Sequence, residues 1–176
     1  MDRLQEARQN RDALFAVIMH PLEMKTTFTY TVLRYVHDIA TGEFVNMGVA
    51  LYAPEAKYVS AICNSRYGRL SRMFLEVNGD NLRSLMRYIQ ARFEEHAAKL
   101  NSELALEKPK SVMEIAASIL PRDDSSLQWS EPNGGFTEDP AATLEQLYTR
   151  LVEKYEQQYD DKRTQGSLRC RRKAHD

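Results

Sequence analysis

The chain is expected to fold as an α+β protein, an antiparallel β-meander of three to four strands packed against several helices. Three observations carry this expectation. Residues 27–36 alternate in period two and are dominated by β-branched and aromatic types. The next two strand-like runs follow after connections too short for a crossover helix. Beyond them the apolar spacing changes to that of helices, with Leu82, Leu85, Met86, Ile89, Phe93, Ala97 and Leu100 on one face.

In the first strand, Thr27 to Val36, Phe28, Tyr30, Val32 and Val36 point one way and Thr29, Thr31, Leu33 and Tyr35 the other. His37 to Gly42 connects to a second strand, Glu43 to Ala53, apolar enough to be covered on both faces. Pro54-Glu55-Ala56 turns the chain into a third strand, Lys57 to Cys63. A first helix carries Tyr67, Leu70, Phe74 and Val77 and breaks at Asn78-Gly79, and Asp80 is the expected cap of the longer helix that follows. Residues 101–110 read as a polar linker. Ser111 and Glu114 have capping-box spacing before a short helix stopped by Pro121. Ser125 to Ser130 is a candidate fourth strand, Asn133-Gly134-Gly135 a loop, and Asp139-Pro140 the N-cap and first residue of a last helix with Leu144, Leu147, Tyr148, Leu151, Val152 and Tyr155 on its apolar face.

The division expected along the chain is an N-terminal extension over 1–24 with helical spacing, one domain over 25–159, and a basic, disordered tail over 160–176. Met24 could itself be a translation start, since the strong patterning begins after it. The chain's 176 residues suit one domain with its own core. The net charge of -1 gives no general attraction to nucleic acid or to anionic membrane. No run approaches the roughly 18 apolar residues of a membrane span, and the N-terminus lacks the features of a secretory signal, so the cytoplasm is the expected compartment. Cys63 and Cys170 offer neither a disulfide framework nor metal-ligand spacing. No metal and no cofactor is expected.

The densest polar constellation is Arg34-Tyr35-Val36-His37-Asp38 with Gly42-Glu43-Phe44-Val45-Asn46-Met47-Gly48-Val49. In a hairpin, Arg34 and Glu43 would face each other within ion-pair reach. Asn46, inside an apolar strand, needs partners for two donors and an acceptor. Gly48 in mid-strand signals a bulge or the close approach of another backbone. Arg34, Glu43, Asn46 and Gly48 therefore form a cluster that either pins the hairpin or lines a site. Arg66, Arg69 and Arg72 make a basic stripe that could hold an anion or an acidic partner, with Arg83 and Arg87 able to extend it. His37 and Asp38 diverge as neighbours in a strand, and His96 reads as a solvated helix position rather than a metal ligand. No phosphate-binding glycine loop, nucleophile elbow or zinc ribbon is present.

The stretch Phe28 to Val36 and the run Glu43-Phe44-Val45-Asn46-Met47-Gly48-Val49, with the helices downstream, resemble a bacterial family catalogued as domain of unknown function 3037. The resemblance covers about residues 25–155 and supplies no catalytic residues. It implies a partnership with HipA-like serine/threonine kinases. The first expectation is accordingly a non-enzymatic accessory or adaptor protein. Its rivals are a small hydrolase or nucleic-acid-processing enzyme with a site at Arg34, Glu43 and Asn46, and a nucleic-acid-binding module built on the arginine stripe.

Overall fold

In the computed structural model the described residues are 25–66, 68, 70–74, 78–102, 109–123 and 125–154, with Arg72 described in its backbone alone. The expected N-terminal extension, the tail, Tyr67, Arg69, Val77, Tyr155 and most of the linker lie outside them. The described residues form five strands: β1 (Thr26–Asp38), β2 (Glu43–Ala53), β3 (Tyr58–Cys63), β4 (Leu127–Trp129) and β5 (Asn133–Thr137). The helices are α1 (Leu70–Met73), α2 (Gly79–Leu100), α3 (Val112–Ile119) and α4 (Pro140–Tyr148), which runs into a five-residue π-helical turn, Thr149–Glu153. No helix among the described residues is long and apolar enough to cross a membrane.

The sheet is antiparallel, in the order β3-β2-β1-β4, with β5 also paired to β1. The meander of the first three strands is as the alternation predicts. The last two share one edge of β1, β4 along Leu33–Tyr35 and β5 along Thr26–Tyr30. Ser130 spans the interruption between them. Its backbone N–H donates to Val32 O, its Oγ accepts from the Val32 N–H, and its carbonyl accepts from the Thr31 hydroxyl.

Both faces of the sheet are covered, which is why β2 is buried on nearly every residue from Val45 to Ala53. On one face Leu33, Val45, Met47, Ala50, Tyr52, Val59 and Ala61 pack with Met86, Ile89 and Phe93 of α2 and Val112, Ile115 and Ile119 of α3. On the other, Val49, Leu51, Ala53 and Ile62 pack with Leu144 and Leu147 of α4 and Val152 of the π turn. Phe28 and Tyr30 join this second cluster, so the alternation read along β1 assigns its two faces correctly.

Three local expectations are corrected. Asn78, not Asp80, caps α2: its side chain accepts from the backbone N–H groups of Asp80 and Asn81, and Asp80 sits in the first turn where a carboxylate opposes the positive helix end. At α3, the Ser111 side chain makes no cap bond and Glu114 accepts from the Lys110 N–H, one residue before the N-cap, so the capping box does not form. Asn133-Gly134-Gly135 is strand, not loop. The backbone of Gly134 lies so close to β1 that an added Cβ would stand 2.6 Å from Phe28 O. Bare backbone is what the tight pairing requires there. Asp139 and Pro140 cap and open α4 as expected, with Asp139 accepting from the Ala141 and Ala142 N–H groups. Across the β2–β3 turn, the Glu55 carboxylate accepts from the Thr26 hydroxyl and the Thr27 N–H, and these bonds hold its pKa below the usual carboxylate range.

Gly134→Ala should lower stability by about 1–3 kcal/mol in urea melts, because the clash is with backbone and the strand must move. Gly135→Ala, whose Cβ would meet only the Phe28 ring at 3.2 Å, should cost less.

Candidate functional site

The geometry of the polar constellation is set by two irregularities in the β1–β2 ladder. Leu33 pairs with Gly48 but Arg34 pairs with Asn46, so Met47 is an extra residue in β2. Val36 pairs with Phe44 but Asp38 with Glu43, so His37 is an extra residue in β1. Gly48 marks the first bulge and also meets β3, where an added Cβ would stand 2.9 Å from Ile62 O and 3.0 Å from Cys63 Sγ. Both readings of Gly48 made from the sequence, bulge and close approach, hold at this one residue.

The Met47 bulge changes which residues face which helices. Before it, the odd-numbered Val45 and Met47 face α2. After it, the even-numbered Ala50 and Tyr52 do, and the odd-numbered Val49, Leu51 and Ala53 face α4. Asn46, between Val45 and Met47, is thereby turned to the α4 side. There its side-chain amide donates to Leu151 O at 3.0 Å, across 105 residues of sequence. Leu151 belongs to the π turn, whose wider winding displaces carbonyls from the regular helical ladder. The half-buried Asn46 thus bonds backbone outside its own strand, as its place in an apolar strand requires.

Arg34 lies directly across from Asn46, on the same face. Its guanidinium stands over the Phe44 ring, 4.3 Å from the centroid, a cation–π contact. The expected Arg34–Glu43 pair does not form. The register at the turn puts Glu43 opposite Asp38, four residues further along β1, and Glu43 is exposed. Among the described residues, two buried atoms of this cluster have no hydrogen-bond partner: Arg34 Nε, a donor, and Asn46 Oδ1, an acceptor. They belong to cross-strand neighbours of opposite hydrogen-bonding character.

At the end of the hairpin Asp38 Oδ1 accepts from the Ala40 N–H and the turn is tied by Gly42 N–H to Asp38 O. Ile39 in this turn is 66% exposed and Phe44 46% exposed, and each is the sequence neighbour of a carboxylate, Asp38 and Glu43 respectively. On the other side His37 stacks on Phe74, 3.8 Å between centroids, and Tyr35 contacts the same ring. No sequence signal pointed to Phe74 as the platform for His37, because the contact joins residues on separate elements.

Of the arginine stripe, the described residues place the side chain of Arg66 alone. Arg66 precedes α1, where its N–H donates to Asn64 Oδ1, so it shares no helical face with Arg72. Arg69 and the Arg72 side chain are outside the described residues. Arg83 of α2 pairs with Asp80. His96 is half-buried between α2 and α3, not fully solvated, with Nε2 3.3 Å from Ser118 Oγ. Burial, then the charges of Lys99 and Arg92, lower its pKa, so near neutral pH its ring is uncharged. The Ser118 hydroxyl donates to Ile115 O at 2.7 Å, which commits its proton to the helix backbone. Cys63 is buried, and burial pushes its thiol up to about 12, the opposite of an activated nucleophile.

Residues 30–152 match a family model described as protein of unknown function (DUF3037). No curated protein and no solved structure matches the chain.

Asn46→Ala removes the donor to Leu151 O and leaves that half-buried site without its bond. It should cost about 1–3 kcal/mol of stability, read as a lower midpoint in thermal and urea melts. An unchanged midpoint would show that Asn46 pins nothing.

Proposed function

The chain belongs to the DUF3037 family of proteins of unknown function, and from that premise we propose that it is a non-catalytic accessory protein whose β1–β2 hairpin end docks a protein partner in the cytoplasm. The observation that carries this reading is the division of labour within the polar constellation. Its inner members each hold a contact within the fold: Arg34 lies on Phe44, and the Asn46 amide N–H donates to the π turn. Its outer end presents Ile39 and the edge of Phe44 beside the carboxylates of Asp38 and Glu43. An exposed aliphatic and an exposed aromatic within an acidic setting suit a partner surface that is apolar at its centre and basic at its rim. Glu43 stands at the turn end of the hairpin opposite another carboxylate, where it serves recognition by charge. A HipA-like serine/threonine kinase is the partner proposed first, on the strength of the family resemblance.

The test is co-purification of the full chain with a HipA-like kinase encoded in the same genome, followed by titration calorimetry. Ile39→Asp should weaken binding by at least about tenfold, the scale of an interface anchor, and leave the melting curve unchanged because Ile39 is exposed. Phe44→Ser should weaken it as well. A hydrolytic activity on nucleotides, nucleic acids or esters that vanishes in Glu43→Gln, with the melting curve in place, would overturn the accessory reading and put the enzyme first.

A further inference from the structure

We propose that β5 is a self-association edge, at which a second copy of this chain adds its own β5 antiparallel to extend the sheet. The inference is independent of the hairpin reading and rests on the far side of β1. Among the described residues β5 pairs with β1 alone. Alternate backbone N–H and C=O groups of its outer edge therefore point away from the sheet, the arrangement that invites another strand. The usual protections against such pairing are missing inside it: Asn133-Gly134-Gly135-Phe136-Thr137 has no lysine, no proline and no inward-pointing charge.

Phe136 gives the edge its specificity. It is 73% exposed, more than any other exposed large apolar side chain among the described residues. By strand alternation it shares a face with Gly134, while Gly135 and Thr137 share the other, where Thr137 meets Thr143 of α4. Two β5 strands paired antiparallel about Gly135 place Asn133 opposite Thr137, and Phe136 of each copy opposite Gly134 of the other. A phenylalanine laid across the bare backbone of a cross-strand glycine buries both, and the twofold axis repeats the contact.

The charges at the strand ends do not oppose the pairing. One end of β5 carries the Lys25–Glu138 pair at 3.8 Å, and the other the Arg122–Glu131 pair at 3.7 Å. Antiparallel association brings the Lys25 end of one copy to the Glu131 end of the other. Each end of the joint then holds two cations and two anions, with an uncharged strand between. A five-residue strand with one aromatic falls short of the roughly 1,200 Å² of a stable interface, so the dimer is weak and concentration-dependent.

Sedimentation velocity of the full chain over a wide concentration series tests this, in reductant so that a Cys170 disulfide cannot imitate the contact. The expected result is a shift from monomer mass toward twice that mass as concentration rises. Phe136→Lys should raise the dissociation constant at least about tenfold with an unchanged melting curve, and Phe136→Tyr, which keeps the ring, should preserve the dimer. A wild-type chain that stays monomeric throughout, a dimer that survives Phe136→Lys, or one lost equally in Phe136→Tyr would overturn the proposal.

Discussion

One extra residue in β2 organises much of this molecule. A strand buried on both faces must send alternate side chains to two different helical layers. The Met47 bulge reverses that alternation at mid-strand, so Val45 and Met47 reach the α2 layer together with Ala50 and Tyr52. Without the reversal, the polar Asn46 would belong to the same set as Ala50 and Tyr52, against the apolar residues of α2. With it, Asn46 faces the C-terminal helix and finds Leu151 O. Gly48 permits this by letting β3 close on the bulged strand, where any side chain would press on Ile62 O and Cys63.

The same displacement decides what the polar residues of the hairpin do. Arg34 comes to lie across from Asn46 and over Phe44, while Glu43 stays beyond its reach at the exposed turn end, opposite Asp38. A cluster that looks on paper like a charged pair beside a buried amide is separated into an inner part that holds secondary structure together and an outer part that faces solvent. The reactive side chains elsewhere follow the same rule. Cys63 is buried in the core cluster beneath α2, and Ser118 gives its proton to Ile115 O.

Much of the fold was legible because periodicity reports burial directly. β2 has the predicted bounds, Glu43 to Ala53, and the apolar positions of α2 and α4 are those of the helical spacing. Gly48 and Asn46 were legible as anomalies, since a glycine and an amide in an apolar strand each demand a local cause. The Arg34–Glu43 pair was misread because opposition across a hairpin depends on where the turn closes, and the short turn sets Glu43 against Asp38. Gly134-Gly135 was misread because glycine signals a turn and a tightly paired strand alike, and only the nearness of Phe28 distinguishes them. The π turn left no pattern in the sequence, because Leu151 and Val152 fit an ordinary helical face as well.

The phase reversal at Met47 is tested most directly by the side-chain amide of Asn46 in solution. In NMR spectra of the labelled chain, the account predicts nuclear Overhauser contacts from the Asn46 Nδ2 protons to Leu151 and Val152, and slow solvent exchange for the proton donated to Leu151 O. Contacts instead to Met86, Ile89 or Phe93 of α2 would place Asn46 on the other face of the sheet. That result would contradict the bulge as the feature on which this structure turns.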